Sequence, residues 1–165
     1  MCDISPVLAR ISLTLGAMVL AAVLIGVAAA ANGSILAAWM SAGWMTAGAI
    51  ATASALALCT AAVSALDKFC TCLSPRCSGD CRNLRNTLNG IRTVLSIQAA
   101  SALALVIPAL IPYVAAGGMI AIIGALISQI ALLIGVILFL ARLRGCARVG
   151  DGATDLGGSA GVSTG

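Results

Sequence analysis

Cysteines are the residues of this chain whose type and crowding could do chemistry. There are seven in 165 residues, and four of them crowd into twelve, as Cys70-x-Cys72-x4-Cys77-x3-Cys81. Thiolates are soft ligands, and four in so short a stretch can surround a tetrahedral ion such as zinc, copper(I) or iron. Cys77-x3-Cys81 has the spacing of about two to four residues common in zinc sites. Lys68, Arg76 and Arg82 stand beside these thiols and favour their thiolate forms. Cys70, Cys72, Cys77 and Cys81 are therefore the candidate metal ligands, with free regulatory thiols or acylated juxtamembrane cysteines as the alternatives. Cys2 and Cys146 lie near the termini, and Cys59, alone in an apolar stretch, reads as a small apolar side chain.

Little else could catalyse a reaction. The chain has no His, and its only acids are Asp3, Asp67, Asp80, Asp151 and Asp155, so no pair of general bases can share a pocket. The expectation is a protein that is not an enzyme, thiol chemistry being the one route left open.

The segments that must position these residues are membrane helices. Hydrophobic residues make up 61% of the chain and charged residues 8%, against about 25% charged in a soluble domain. All fourteen charged side chains fall in residues 1–10, 67–92 and 142–155, which leaves 11–66 and 93–141 without any. A hydrocarbon layer roughly 30 Å thick is crossed by about 20 apolar residues, so each charge-free stretch holds two passes. Turn chemistry divides them at Asn32-Gly33-Ser34 and between Pro112-Tyr113 and Gly117-Gly118. The fold expected is all-α, a four-helix transmembrane bundle of two helical hairpins in residues 1–148, with helices near 7–31, 44–66, 93–112 and 118–141 and a Cys-rich loop at 67–92. The Gly-rich segment 149–165 has almost nothing to bury and is expected to be disordered.

Orientation follows from the basic residues. All nine lie near the N-terminus, in the central loop or after the last helix, and the two short turns have none. Basic residues in short loops mark the cytoplasmic side, which puts both termini and the central loop there. On that side thiols stay reduced, so structural disulfides are not expected. Trp39, Trp44 and Tyr113 mark the outer headgroup level and Phe69 and Phe139 the inner one. Residues 34–43 read as an interfacial segment or an outward extension of the second helix. The first helix also carries marks of a signal peptide, with one Arg, an apolar run and Ala28–Ala31 as a small-residue site, but its run from Ile11 to Ala31 is longer than the ~7–15 residues usual there.

Helices in lipid associate by close packing, which small residues four apart allow. Gly16 and Gly26 in the first helix, Ala47 in the second and Gly117 in the fourth lie in such patterns, and Gln129, in the middle of the fourth, is the expected interhelical hydrogen-bonding glue. Gln98 sits nearer the inner end of the third helix, which Pro108 should kink. Asp80 to Arg92 alternates as a basic amphipathic helix, with Leu84, Leu88, Ile91 and Leu95 on one face, and is expected to rest on anionic headgroups.

In bulk the chain resembles the proteolipid subunits of rotary ATPases, yet neither charge-free stretch has the carboxylate which that function needs. Four-helix thiol oxidoreductases carry their cysteine pairs on the outer side, and small mercuric-ion transporters carry a further pair in the first helix; both patterns are missing. The functional expectation is a structural or assembly subunit that packs through small-residue faces, with a metal held at the loop thiols as its cofactor if it has one. A pore or soft-metal permease is the alternative. The partners expected are the lipid bilayer and copies of itself or other membrane subunits, and no nucleic acid.

Overall fold

A computed structural model describes residues 4–31, 35–72, 78–106 and 116–155. They form four helices: α1 (Ser5–Ala30), α2 (Ile35–Cys72), α3 (Ser78–Ala104) and α4 (Ala116–Asp155). The fold is all-α, as the sequence implies. Pro6 lies in the first turn of α1, where its missing N–H breaks no helical bond. The turn expected at 32–34, Pro108 and Tyr113 lie outside the described residues, and of the turn expected from Pro112 to Gly118 the last residues, Gly117 and Gly118, belong to α4.

Among the described residues, three helices are long and apolar enough to cross a membrane: Ser5–Ala30, Trp39–Cys72 and Gly117–Arg142. Of the expected third span, 93–112, α3 supplies the part up to Ala104. Three helices outrun their expected bounds, α3 by beginning at Ser78 and not near 93. The second is a single helix of 38 residues that begins at Ile35 and not near 44. At about 1.5 Å per residue it is roughly 57 Å long, well beyond the hydrocarbon thickness. Residues 35–43 thus continue the second helix without a break. The backbone of α4 stays helical to Asp155, into the segment where composition offers nothing to bury.

Each helix buries a seam spaced alternately by three and four residues, the pattern of knobs-into-holes packing. In α3 the seam runs Cys81, Leu84, Leu88, Ile91, Leu95, Gln98, Ala102, and in α4 Met119, Ile122, Leu126, Gln129, Leu133, Val136, Leu140. The seam of α1 passes through Ile11, Thr14, Met18 and Ala21, and that of α2 through Gly48, Thr52, Ala55, Cys59 and Ala62. α2 lies at the centre, between α1 and α3, while α4 leans on α1 and only lightly on α3.

Specific contacts fix the antiparallel register of α2 and α3. A disulfide joins Cys70 to Cys81, Arg85 Nε meets Asp67 Oδ1 at 3.2 Å, and Cys59 Sγ donates to Leu88 O at 3.8 Å. Phe69 is therefore level with Cys81, Leu66 with Leu84, Ala62 with Leu88 and Thr52 with Gln98. On the other side of α2, Ser41 Oγ donates to Ala28 O at 2.8 Å and Arg10 Nη1 to Ala61 O at 2.7 Å.

These contacts divide the molecule into two zones. Up to the level of Arg10, Ala61 and Arg92 the exposed surface is uncharged and largely apolar, with Leu13, Ile50, Ile97 and Leu138 all more than half exposed and the exposed Ser and Thr hydroxyls turned back on their own helices. Beyond that level α2 and α3 continue as a hairpin stalk whose exposed residues are polar, among them Ser64, Lys68, Thr71, Arg82, Asn83, Asn86 and Thr87. Much of what was expected to be a loop at 67–92 is this stalk. The apolar face of its amphipathic segment is taken up within the chain: Leu84, Leu88 and Ile91 are buried against α2, a burial worth about 1.5–3 kcal/mol per large side chain, and are not free to rest on headgroups. Phe69 is buried in the same core and marks no headgroup level.

Candidate functional site

Two places in the molecule could do more than hold it together: the cysteines of the stalk and the small residues of the helix faces. In the stalk, Cys70 ends a turn of α2 and Cys81 opens the buried seam of α3, and their Cα atoms stand 6.0 Å apart within a disulfide. This corrects the expectation that these thiols stay separate and reduced. The reason is geometric, since the register that buries Leu66 on Leu84 sets the two cysteines face to face. Cys72 is free and exposed, Cys59 is free and buried between α2 and α3, and Cys77 lies outside the described residues. Among the described residues no three potential ligands cluster as a metal site. A four-thiol site would first require the Cys70–Cys81 bond to be reduced. One turn from the bridge, Arg85 and Asp67 pair in the open, 56% and 43% exposed, a contact that adds little to stability.

The small residues singled out from the sequence have unequal surroundings. Gly26 is half-buried, and a Cβ built there would meet Ile123 Cδ1 at 4.0 Å, the ordinary contact of α1 with α4. Ala47 is half-buried on α2. The closest approach involves a glycine that pattern matching passed over: a Cβ on Gly48 would stand 2.6 Å from Ile25 Cγ1 and 3.5 Å from Ile25 N. Gly48 therefore marks where α1 and α2 pack backbone to side chain with no room to spare. Gly16 and Gly117 belong to the outer surface, both exposed and with nothing within 4 Å of a built Cβ. Gln129 is buried as expected of glue, but neither its Nε2 nor its Oε1 has a partner.

The surroundings of Gly117 extend its sequence pattern. Gly117, Ala121, Gly124, Ser128, Ala131 and Gly135 are all exposed and recur alternately by four and three residues. They form one smooth stripe along α4 on the side opposite the buried seam through Leu126 and Leu133. The Ser128 hydroxyl folds back to donate to Ala125 O at 2.8 Å, which leaves no polar projection on the stripe. Beside it runs a row of large apolar residues, Ile120, Ile127 and Ile134, each also exposed. Small residues spaced strictly by four lead from Gly117 only to Ala121 and the half-buried Ala125; the alternation of four and three traces the whole stripe.

No protein-family model, curated protein or solved structure matches this chain.

Proposed function

We propose that this protein is a non-enzymatic integral membrane protein whose work is assembly, and that it associates with copies of itself through the outer face of α4. The stripe from Gly117 to Gly135 carries this reading. Side-chain volume is smallest where the helix turns away from its own bundle, so a second helix could approach its backbone closely and gain van der Waals contact that lipid tails give less well. The degree of packing within the chain is in keeping with this choice: half the residues in the span window of α2 are buried, 33% in that of α1 and 28% in that of α4. α4 keeps most of its surface for something outside the chain.

The core seams support assembly over a pore. On either side of the level of Gln98 and Gln129 the seams carry Leu95, Leu133, Ala102 and Leu126, so the described interior offers no continuous polar path. For orientation, the nine basic residues support both termini and the α2–α3 stalk on the cytoplasmic side, while the Cys70–Cys81 disulfide, a bond that persists in oxidising compartments, counts against it. Arg10 and Arg92 then lie near the inner headgroups, with the stalk standing in water beyond them.

Fluorescence energy transfer between labelled chains in liposomes tests the proposal. Transfer should rise with the protein-to-lipid ratio and fall for Gly124→Leu, whose side chain holds the backbones apart. Transfer that is unchanged in Gly124→Leu and in Gly117→Leu would overturn it.

A further inference from the structure

Two carboxamides stand inside the bundle with nothing to bind. Gln98 on α3 is 5% exposed and Gln129 on α4 is 4% exposed, and Nε2 and Oε1 of both are without hydrogen-bond partners. Each occupies a seam position, flanked by apolar seam residues one step up and down: Leu95 and Ala102 around Gln98, Leu126 and Leu133 around Gln129.

Contacts elsewhere place the two side chains in one layer. The α2–α3 register that sets Cys70 against Cys81 and Cys59 beside Leu88 brings Gln98 level with Thr52. Ser41 bonded to Ala28 and Arg10 bonded to Ala61 bring Thr52 level with Met18 on α1. The approach of Gly26 to Ile123 brings Met18 in turn level with Gln129. Met18 and Thr52 are fully buried. Three of the four helices thus contribute a buried polar side chain at the same depth, in seams that are otherwise almost wholly apolar.

The chemistry of this layer selects its occupant. Each carboxamide offers two N–H donors and one carbonyl oxygen, and Thr52 Oγ1, whose own hydrogen is donated to Gly48 O at 2.8 Å, has lone pairs left to accept. A cation would use the oxygens and leave the amide hydrogens facing its charge. An anion would find N–H groups but no positive charge to offset the loss of its hydration. A neutral molecule that both donates and accepts can satisfy every group, and water is the smallest of these. We propose that Gln98, Gln129 and Thr52 form a hydration site in which bound water bridges α2, α3 and α4 at mid-bundle. The bridging fastens α4 where its direct packing against α3 is slight. Apolar layers above and below separate this water from both ends of the bundle.

The chain contains just two Gln residues, so labelling glutamine side chains with 15N yields two NH2 groups and no others. Water-edited solid-state NMR of the full chain in lipid bilayers is the test. Both NH2 groups should receive magnetisation from water several-fold faster than the backbone amides of Leu95 and Leu133 beside them. In Gln98→Leu the transfer to the Gln129 NH2 should drop several-fold, and the converse should hold for Gln129→Leu. The wild-type spectrum decides by itself if either variant fails to fold. Dry NH2 signals, or a direct contact between the Gln98 NH2 and the Gln129 carboxamide carbon without water transfer, would overturn the proposal.

Discussion

Gly48 and Gly124 are both helical glycines in apolar spans, and their surroundings could hardly differ more. A Cβ on Gly48 would collide with Ile25 at 2.6 Å, while one on Gly124 would meet nothing within 4 Å. On α2 small residues are consumed inside, where they let α1 come close; on α4 the stripe through Gly124 faces away from the bundle. The same residue type thus serves folding on one helix and, in our reading, association on another. Composition alone cannot separate the two uses. Position relative to the buried seam does.

The largest effect should come from filling the inner site. Gly48→Leu forces Ile25 and the α1 backbone aside, and overpacking of this kind costs about 1–3 kcal/mol or more. Thermal unfolding in mild detergent should show a clear loss of stability, with Gly48→Ala intermediate between wild type and Gly48→Leu. An unchanged unfolding temperature would mean that α1 and α2 do not pack as closely as Gly48 implies.

Filling the outer site should leave unfolding untouched and change association instead. Gly124→Leu is expected to weaken self-association in bilayers about tenfold, equivalent to about 1.4 kcal/mol. Ile127→Leu, on the neighbouring exposed row, should not. If both variants associate as wild type does, the contrast between the two glycines carries no functional meaning.

The stalk sharpens the comparison from a third direction, because there the α2–α3 pair leaves the apolar zone and must hold together by other means. Cys70→Ser removes the bridge between residues eleven apart in sequence, and loops of this size gain roughly 3 kcal/mol from closure in the chain-entropy model. Less than this is expected here, since Leu66, Phe69, Leu84 and Leu88 already hold the hairpin. Hydrogen exchange along residues 78–91 should speed up while the spans stay protected. Elemental analysis of protein purified with and without reductant addresses the thiols themselves: metal that appears only after reduction would show that Cys70 and Cys81 ligate when the bridge is open. The smallest effect is that of Asp67→Asn, which breaks an exposed ion pair and should change stability by less than about 1 kcal/mol.

The helices were legible in the sequence because charge is wholly absent between Ile11 and Leu66 and between Thr93 and Ala141. The amphipathic character of Asp80–Arg92 was legible too, but its partner was not. A face of Leu84, Leu88 and Ile91 fits a membrane surface or a neighbouring helix equally well, and only the continuation of α2 to Cys72 makes the choice. For the same reason the Cys70–Cys81 bridge could not be read from spacing, as it depends on two helices meeting in one register. Of the small residues, Gly26 lies at the ordinary contact of α1 with α4 and Ala47 is half-buried, while Gly16 and Gly117 face outward. Motifs of small residues record where a backbone can be approached, and leave open by what.

Cysteine cross-linking along α4 tests the central claim most directly. Single cysteines are placed one at a time from 117 to 135 in a chain whose native cysteines are replaced, and disulfide formation between chains is measured in bilayers. The account predicts maxima at 117, 121, 124, 128, 131 and 135 and minima at 120, 127 and 134. A flat profile, or maxima on the isoleucine row, would contradict it.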